Sequence, residues 1–317
     1  MKISVCMGIY NGEKYIEEQL YCIMRQTVQP DEVILCDDCS RDGTVQIVKE
    51  FIVRNHLQER WKLLQNQENM GNPGNYYHVM SLCTGDVVFL ADQDDIWCNN
   101  KVERMVGILK RYPEVNCVCC KFGLVDKAGS EVHAIMGPAK VHGEGRVYKI
   151  TVEQLFYKCE WSGMVLAYRN GWYRQWFDEL QRRTDAWKQI PHDFLISARA
   201  AEEYTFYQLD EKLAYLRRHD SNGDVEAYRL SRRLNKRRKM QEISDYLHFL
   251  QAFAEGEVLH TREGREALME KLQSMQARYG ALKSGRIGKV LGNAWKNRKN
   301  VRLATAICDV VIVKGKD

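Results

Sequence analysis

Residues 87–97 have the sequence VVFLADQDDIW, an apolar run that stops in three carboxylates and an amide. The run is short and rich in β-branched and aromatic residues, and Gly85 and Asp86 bound it, which predicts a buried strand. Polar residues that follow a buried parallel strand lie at the rim of the sheet, where open α/β sheets bind ligands. Three acids within four residues repel one another, and a divalent cation relieves that repulsion. The stretch therefore predicts a ligand site at a sheet edge.

Strand-like and helix-like patterns alternate around this stretch. Apolar runs at 2–8, 32–36 and 61–64 precede it, and segments with helical spacing separate them. A β-α-β-α-β-α-β order is typical of right-handed βαβ units, so we predict an α/β fold with a mainly parallel sheet. Further along, we expect a strand at 115–122, helices at 152–157, 172–180 and 191–201, and a strand, a turn and a strand across 204–216.

Composition indicates a globular protein in two parts. The chain has 317 residues and no apolar run long enough to span a membrane, and its eleven cysteines, several inside strand-like runs, suggest reduced thiols in a cytoplasmic protein. Residues 221–317 contain 20 Lys/Arg and 11 Asp/Glu, a net charge of +9, whereas the whole chain carries +5. We predict an α/β domain at 1–222 and a basic helical extension at 223–317.

Two groups of acids carry the chemistry. Asp92 and Asp94 have D-x-D spacing and could share a divalent cation. A solvated acidic turn is the plainer interpretation of such a motif alone, but its place at a strand end and the second acidic pair at another strand end favour the ligand role. Asp37 and Asp38 end the second strand, where an acid can accept hydrogen bonds from a base or ribose. A helix-capping turn is the alternative there, and both roles can hold. The chain has neither G-x-G-x-x-G nor G-x-x-x-x-G-K-S/T, which argues against dinucleotide-binding dehydrogenases and P-loop ATPases.

Several motifs together resemble the N-terminal half of family 2 glycosyltransferases, inverting enzymes with a GT-A fold. The matching strings are ISVCMGIYNGEKYIEEQL, DDCSRDGT, NMGNPGN and TGDVVFLADQDDIW, and DQDDIW is most similar to rhamnosyltransferase-type members that build bacterial surface polysaccharides. The resemblance covers residues 1 to about 222. Cys39 stands where the family usually has Gly, and Leu216 where it often has Tyr, but no charged catalytic group is missing.

The resemblance implies roles for particular residues. It places a nucleotide site on Tyr10, Asn11, Glu13, Asp37, Asp38, Asn72 and Asp92. It implies a divalent cation, Mg²⁺ or Mn²⁺, on Asp94 and Asp92 with His219, and a donor sugar or diphosphate near Asp95 and Arg217. We expect Asp95 to position the loop or to reach toward the sugar rather than to act as a third metal ligand.

On the acceptor side, the resemblance makes Asp193 the base that deprotonates the acceptor hydroxyl. Taken without the family, Asp193 is a helix N-terminal acid that favours the helix dipole. His219 has a plain alternative as a loop imidazole without a ligand. Trp161 could stack on an acceptor sugar, and a core tryptophan is an equal alternative.

The basic C-terminal part has seven cations and no acid between Arg229 and Lys239, and a second basic stretch from Lys283 to Arg302. A solvated helix face, attraction to an anionic membrane surface and nucleic-acid binding compete there; we favour the membrane and place nucleic acid last. The expected function is the transfer of a sugar, rhamnosyl favoured, from a nucleotide-diphosphate donor to a surface-polysaccharide or lipid-linked glycan at the cytoplasmic face of the membrane. Alternatives are a UDP-hexose transferase, a nucleotidyltransferase and a catalytically inactive nucleotide-binding protein.

Overall fold

The computed structural model describes residues 1–132, 141–143, 145–158, 161–219, 235–298, 301 and 303–315. The chain divides into two compact units, the first formed by 1–150 and 161–218 and the second by 151–160 and 219–317. The boundary predicted between residues 222 and 223 lies outside the described residues. The division into two domains at that point stays a prediction.

Parallel strands and intervening helices build the first half of the first unit. The strands are β1 (Ile3–Ile9), β2 (Glu32–Asp37), β3 (Trp61–Gln65) and β4 (Val87–Ala91), and the helices between them are α1 (Ile16–Met24), α2 (Thr44–Arg54) and α3 (Gly71–Ser81). The strands pair in parallel in the order β3-β2-β1-β4. All five residues of β4 are buried, because helices cover both faces of such a sheet.

The remaining strands of the first unit extend the same sheet. They are β5 (Ile96–Trp97), β6 (Cys117–Val125), β7 (Val147–Lys149), β8 (Leu166–Arg169) and β9 (Phe206–Arg217). The helices of this part are α4 (Lys101–Arg111), α6 (Asn170–Arg183) and α7 (His192–Glu202). Strand β8 lies antiparallel between β4 and β6, and β9 runs parallel to β6. Strands β5 and β7 pair antiparallel with β9. The predicted α/β fold with a mainly parallel sheet is confirmed.

The predicted turn inside residues 204–216 is wrong, because β9 is one strand of 12 residues. Its charged centre suggested a turn, yet each of the three charges has a partner on a neighbouring segment. Asp210 pairs with Lys121 of β6, and both side chains are buried. The next two residues make ion pairs as well: Glu211 with Arg104 and Lys212 with Glu131. The register of β6 against β9 shifts around Cys120 and Lys121, which accommodates these pairs.

Helices form the second unit. They are α5 (Val152–Lys158), α8 (Lys236–Glu255), α9 (Arg262–Lys283), α10 (Ile287–Lys296) and α11 (Leu303–Lys314). Asn235 and Thr261 cap α8 and α9, since their side-chain oxygens accept from the N–H groups of Arg238 and Gly264. Helix α9 packs against α5, α8 and α10, and α10 packs against α11. Within the described part of the chain, no helix is long and apolar enough to cross a membrane. The predicted C-terminal helices are confirmed.

The buried Lys121–Asp210 pair generates the first prediction. We expect Lys121→Met to lower the free energy of unfolding by about 3 kcal/mol, because it leaves the Asp210 carboxylate buried without its cation. Lys62→Met is the matched control, since Lys62 is exposed on β3 and its loss should change stability by less than about 0.5 kcal/mol. Urea denaturation of the two variants measures the difference, and equal midpoints would contradict the assignment.

Candidate active site

The acid loop, residues 92–95, follows β4 at the carboxyl edge of the sheet. Its second residue, Gln93, makes two hydrogen bonds with the main chain of Tyr10, the residue that follows β1. Gln93 Oε1 accepts from the Tyr10 N–H at 2.9 Å, and Nε2 donates to the Tyr10 carbonyl at 2.9 Å. A Cβ atom on Gly12 would lie 2.4 Å from Gln93 Oε1, so a larger residue at that position would require the Gln93 side chain to move. The loops after β1 and β4 are therefore clasped together before any ligand arrives.

The three acids of this loop differ in their surroundings. Asp92 and Asp94 keep partial exposure, whereas Asp95 is buried. Asp95 Oδ1 accepts from the Arg217 N–H at 3.2 Å. Burial raises the pKa of Asp95 well above its ordinary value, and the charges of Asp92 and Asp94 act in the same direction. Asp95 therefore positions the loop against β9, and this position supports that role over contact with a donor sugar.

Arg217 was expected near the donor diphosphate, and the structure places its guanidinium inside the protein. Nε donates to the Asp94 carbonyl at 3.0 Å, and the guanidinium also pairs with the Glu18 carboxylate. The Tyr15 ring lies 4.9 Å from the guanidinium carbon. With a side chain that is almost wholly buried, Arg217 supports the main chain of the acid loop. The predicted contact of Arg217 with the donor diphosphate stays a prediction.

Lys101 is a second buried cation, which the sequence interpretation missed. Its ammonium donates to the Met164 carbonyl and lies 3.3 Å from the centroid of the Trp97 ring. Burial lowers its pKa to about 8, and the charges of Cys120, Asp95 and Asp92 oppose that shift. At neutral pH Lys101 therefore retains most of its positive charge within the field of the acid loop. A lysine at the first position of a helix gives no sequence signal of burial.

The adjacent acids Asp37 and Asp38 have different environments. The Asp38 carboxylate accepts from Asn66 Nδ2 and from the N–H groups of Met70 and Gly71, each at 2.8 Å. These bonds hold the loop that leads into α3. Asp37 is buried too; Oδ2 accepts from the Ser40 N–H at 3.1 Å, and Oδ1 has no hydrogen-bond partner among the described residues. Of the two, only Asp37 retains an oxygen without a partner in the described part of the chain, and its nucleotide role stays a prediction.

The loop after β1 is bound to the loop after β2. The Asn11 N–H donates to Ser40 Oγ, and Asn11 Oδ1 accepts from the Arg41 N–H, both at 2.9 Å. Glu13 Oε2 accepts from the Gly43 N–H at 2.8 Å. Asn11 and Glu13 thus hold the two loops together, and the Tyr10 side chain is exposed beside them.

Asp193 lies in the first turn of α7. Its carboxylate accepts from the N–H groups of Gly163 at 3.0 Å and Phe194 at 2.7 Å, and it retains partial exposure. Burial in its crowded surroundings raises the pKa of Asp193, and these two hydrogen bonds oppose the shift. An acid held in this way is a stronger base than a carboxylate in open water, and its two bonds fix its direction.

A stack of two rings connects Asp193 with the acid loop. The Tyr76 hydroxyl donates to the Asp92 carboxylate, and the Tyr76 ring stacks on His192 with centroids 3.9 Å apart and planes 9° apart. Burial lowers the pKa of His192 to about 3, so the imidazole is neutral at physiological pH. Neither ring nitrogen has a hydrogen-bond partner within the described ranges. The sequence drew attention to His192 only through its neighbour Asp193.

Three other residues that the sequence predicted for the site are Trp161, Asn72 and His219. Trp161 is 8% exposed and packs edge-on against Phe206 with centroids 5.7 Å apart, so the core alternative describes it and its ring offers little area to a sugar. Asn72 is exposed at the start of α3. His219 is buried at the beginning of the second unit, and its metal role stays a prediction.

The metal prediction rests on two carboxylates. Among the described residues, no three His, Cys, Asp or Glu side chains are grouped so that they could hold a metal ion. Asp92 and Asp94 fit a hard cation that takes its other ligands from water and a diphosphate, because such cations prefer oxygen donors and keep open positions. Their neighbour Asp95 is removed from the rim by its burial.

A family model described as glycosyl transferase family 2 matches residues 4–151, the stretch that contains the clasped loops and the acid loop. The matched stretch, just under half of the 317 residues, is thus similar to glycosyl transferase family 2. The resemblance predicted from the motifs is confirmed over that stretch.

Curated relatives agree with this assignment. The putative glycosyltransferase EpsE of Bacillus subtilis is 35% identical over 128 residues, 40% of this chain and 45% of EpsE. The dTDP-rhamnosyl transferase RfbG of Shigella flexneri is 28% identical over 235 residues, 70% of this chain and 74% of RfbG. The match therefore spans about half the length of EpsE and about three quarters of RfbG.

Solved structures share the fold. Staphylococcus aureus TarS 1–349 in complex with UDP-GlcNAc has a TM-score of 0.63 at 19% identity, with 98% of this chain and 88% of that chain covered. The mannosyltransferase PcManGT of Pyrobaculum calidifontis, in complex with GDP-Man and Mn²⁺, has a TM-score of 0.51 at 16% identity and covers 98% of this chain and 85% of that one. At these identities the likeness shows the fold alone.

The contrast between Asp37 and Asp38 generates the second prediction. We expect Asp38→Asn to lower the free energy of unfolding by about 1–3 kcal/mol, because one amide replaces a carboxylate that accepts three hydrogen bonds. Asp37→Asn should lower stability less, because its carboxylate accepts one hydrogen bond rather than three, and should weaken nucleoside diphosphate binding instead. Thermal denaturation and titration calorimetry with UDP and dTDP separate these outcomes. If Asp38→Asn were as stable as the wild type, Asp38 would lose its structural role.

Proposed function

We propose that the chain transfers a sugar from a nucleotide-diphosphate donor to a hydroxyl group of a glycan acceptor, with inversion at the anomeric carbon. The observation that carries this proposal is the pairing of Asp193 with the acid loop through the Tyr76–His192 stack. Such a displacement needs two parts: a place where a cation can neutralise the leaving diphosphate, which the acid loop would provide, and a base for the nucleophile. The match to the family model supports the same reaction class.

On the donor side, Asp37 Oδ1 accepts from the nucleoside, and the Tyr10 ring and Asn11 border the pocket. Asp92 and Asp94 would hold a divalent cation, Mg²⁺ or Mn²⁺, which would supply neutralising charge for the diphosphate. Tyr76 keeps Asp92 in place by its hydrogen bond, and Arg217 and Lys101 keep the loop folded against repulsion.

On the acceptor side, Asp193 removes the proton of the attacking hydroxyl. Its hydrogen bonds to Gly163 and Phe194 hold the carboxylate at one orientation, which reduces the entropy lost on reaching the reactive geometry. Since burial raises its pKa, the carboxylate accepts a proton more readily than an ordinary aspartate. Attack from this side, with the diphosphate leaving toward the acid loop, inverts the anomeric carbon.

The donor sugar is proposed as rhamnosyl, carried by dTDP. DQDDIW and the match to a dTDP-rhamnosyl transferase support this choice. A UDP-hexose donor is the second candidate, because WfgD of Escherichia coli, named as a UDP-Glc-dependent glucosyltransferase, is 32% identical over 107 residues. The acceptor is a surface-polysaccharide or lipid-linked glycan, and the net charge of +9 on residues 221–317 supports a reaction at the cytoplasmic face of an anionic membrane.

The third prediction concerns the base. Asp193→Asn should lower kcat by about 10²–10⁴-fold and leave donor affinity nearly unchanged, because the amide keeps the shape but cannot take a proton. In the wild type, kcat/KM should fall as the pH drops through a pKa above the ordinary aspartate value, since the base works only when ionised. Glu179→Gln, an exposed carboxylate on α6, is the control for both measurements. Turnover that survives in Asp193→Asn would exclude Asp193 as the base.

The fourth prediction concerns donor and metal together. Saturating dTDP-rhamnose with Mn²⁺ should stabilise the protein, by about 2.7 kcal/mol when the donor is at 100 times its Kd, and UDP-glucose should stabilise it less. Asp94→Asn should remove the Mn²⁺-dependent part of this stabilisation and leave the protein without ligand as stable as the wild type. Thermal denaturation with each donor, with and without Mn²⁺, measures these differences. Greater stabilisation by UDP-glucose would favour the second donor, and an unchanged metal response in Asp94→Asn would contradict the metal assignment.

A further inference from the structure

Helix α11 turns its one carboxylate inward and leaves three of its large apolar side chains exposed. Ala306, Asp309 and Ile312 are the buried positions of this helix. The side chains four residues apart on another face are exposed: Leu303 at 78%, Ile307 at 56% and Val311 at 44%. Residues at this spacing lie above one another on a helix, so they form a continuous apolar strip. Helices at the surface of globular proteins usually present the opposite arrangement.

A buried ion pair fixes this orientation. Arg278 of α9 binds Asp309 through two parallel bonds, Nε to Oδ2 at 2.7 Å and a terminal nitrogen to Oδ1 at 2.8 Å. The side chains of Arg278 and Asp309 are 13% and 3% exposed. Rotation of α11 to bury Leu303 and Ile307 would break this bidentate pair and leave a desolvated charge alone. The exposed strip is therefore a stable feature of the second unit.

Helix α10 adds two more exposed apolar side chains. Leu291 is 53% exposed and Trp295 is 75% exposed, and they too are four residues apart, whereas Val290 is buried. Helix α10 packs against α11. We call these five side chains the apolar set: Leu291, Trp295, Leu303, Ile307 and Val311.

Cations accompany the apolar set without compensating acids. The sequence from 280 to 308 contains seven Lys or Arg and no Asp or Glu. Exposed positions among them include Lys283, Arg286, Lys289, Lys296 and Arg298. Asp309, the next acid, is buried in its pair with Arg278. A second copy of the chain placed on this region would bring like charges together, and like-charge juxtaposition is costly. An anionic lipid surface supplies the opposite charge.

We propose that the apolar set and its surrounding cations bind the surface of an anionic bilayer. Trp295 suits the headgroup region, where an aromatic ring with one polar edge is favoured, and the aliphatic side chains suit the boundary with the acyl chains. The helices lie along the surface, and the Lys and Arg side chains contact phosphate groups. This interaction belongs to the second unit and does not depend on the transfer reaction proposed for the first.

The fifth prediction tests this surface with the whole chain. We expect the protein to sediment with vesicles of phosphatidylglycerol mixed with phosphatidylcholine, and to remain in the supernatant with phosphatidylcholine alone. Trp295→Ser/Ile307→Ser should weaken binding at least tenfold, because it removes apolar area from the contact. Lys289→Glu/Lys296→Glu should weaken it as well, with a smaller salt dependence than the wild type.

Val53→Ser/Leu64→Ser is the matched control, since both side chains are exposed apolar residues of the first unit, and its binding should equal that of the wild type. Circular dichroism and light scattering accompany each variant to confirm folding and mass. Absence of binding to the anionic vesicles would overturn the proposal. So would a dimer in solution that Trp295→Ser/Ile307→Ser dissociates, because the apolar set would then be an interface between copies.

Discussion

Mutual repulsion within the acid loop is the constraint around which the first unit is built. Asp92, Asp94 and Asp95 leave the sheet within four residues, and like charges at that distance raise the free energy of the folded state. Burial raises the pKa of Asp95 and so lowers its share of the charge, while Arg217 and Lys101 place two buried cations near the loop. The fold therefore keeps two partly exposed carboxylates at the rim without the loop unfolding.

Hydrogen bonds between loops then give the site its shape. The main chain of the loop after β1 is bound by Gln93 on one side and by Ser40 on the other, and Asp38 secures the entrance to α3. Most of these bonds join a side chain of one loop to the main chain of another. Because the partners are already in place, a nucleotide that enters this edge need not order it first, and less of its binding energy is lost to loop ordering.

Sequence periodicity predicted much of this fold. The alternation of strands and helices up to α4, the parallel pairing and the position of the acid loop followed from local patterns and turn residues. Asp210, Glu211 and Lys212 misled the prediction, because their charges indicate a turn unless one knows that cations and acids of neighbouring segments face them. Burial of Lys101 and the stacking of Tyr76 on His192 depend on contacts between segments distant in the chain, which no local pattern records.

The clasp between Gln93 and the loop after β1 links two positions of the sequence. Since a Cβ atom at position 12 would collide with Gln93 Oε1, a larger residue at 12 would displace the Gln93 side chain and disturb its two bonds to Tyr10. A change at position 12 therefore acts on Gln93 as well. Anyone who redesigns this pocket for another nucleotide has to treat the glycine and the glutamine as a single element, although one lies on the first strand's loop and the other between the acids.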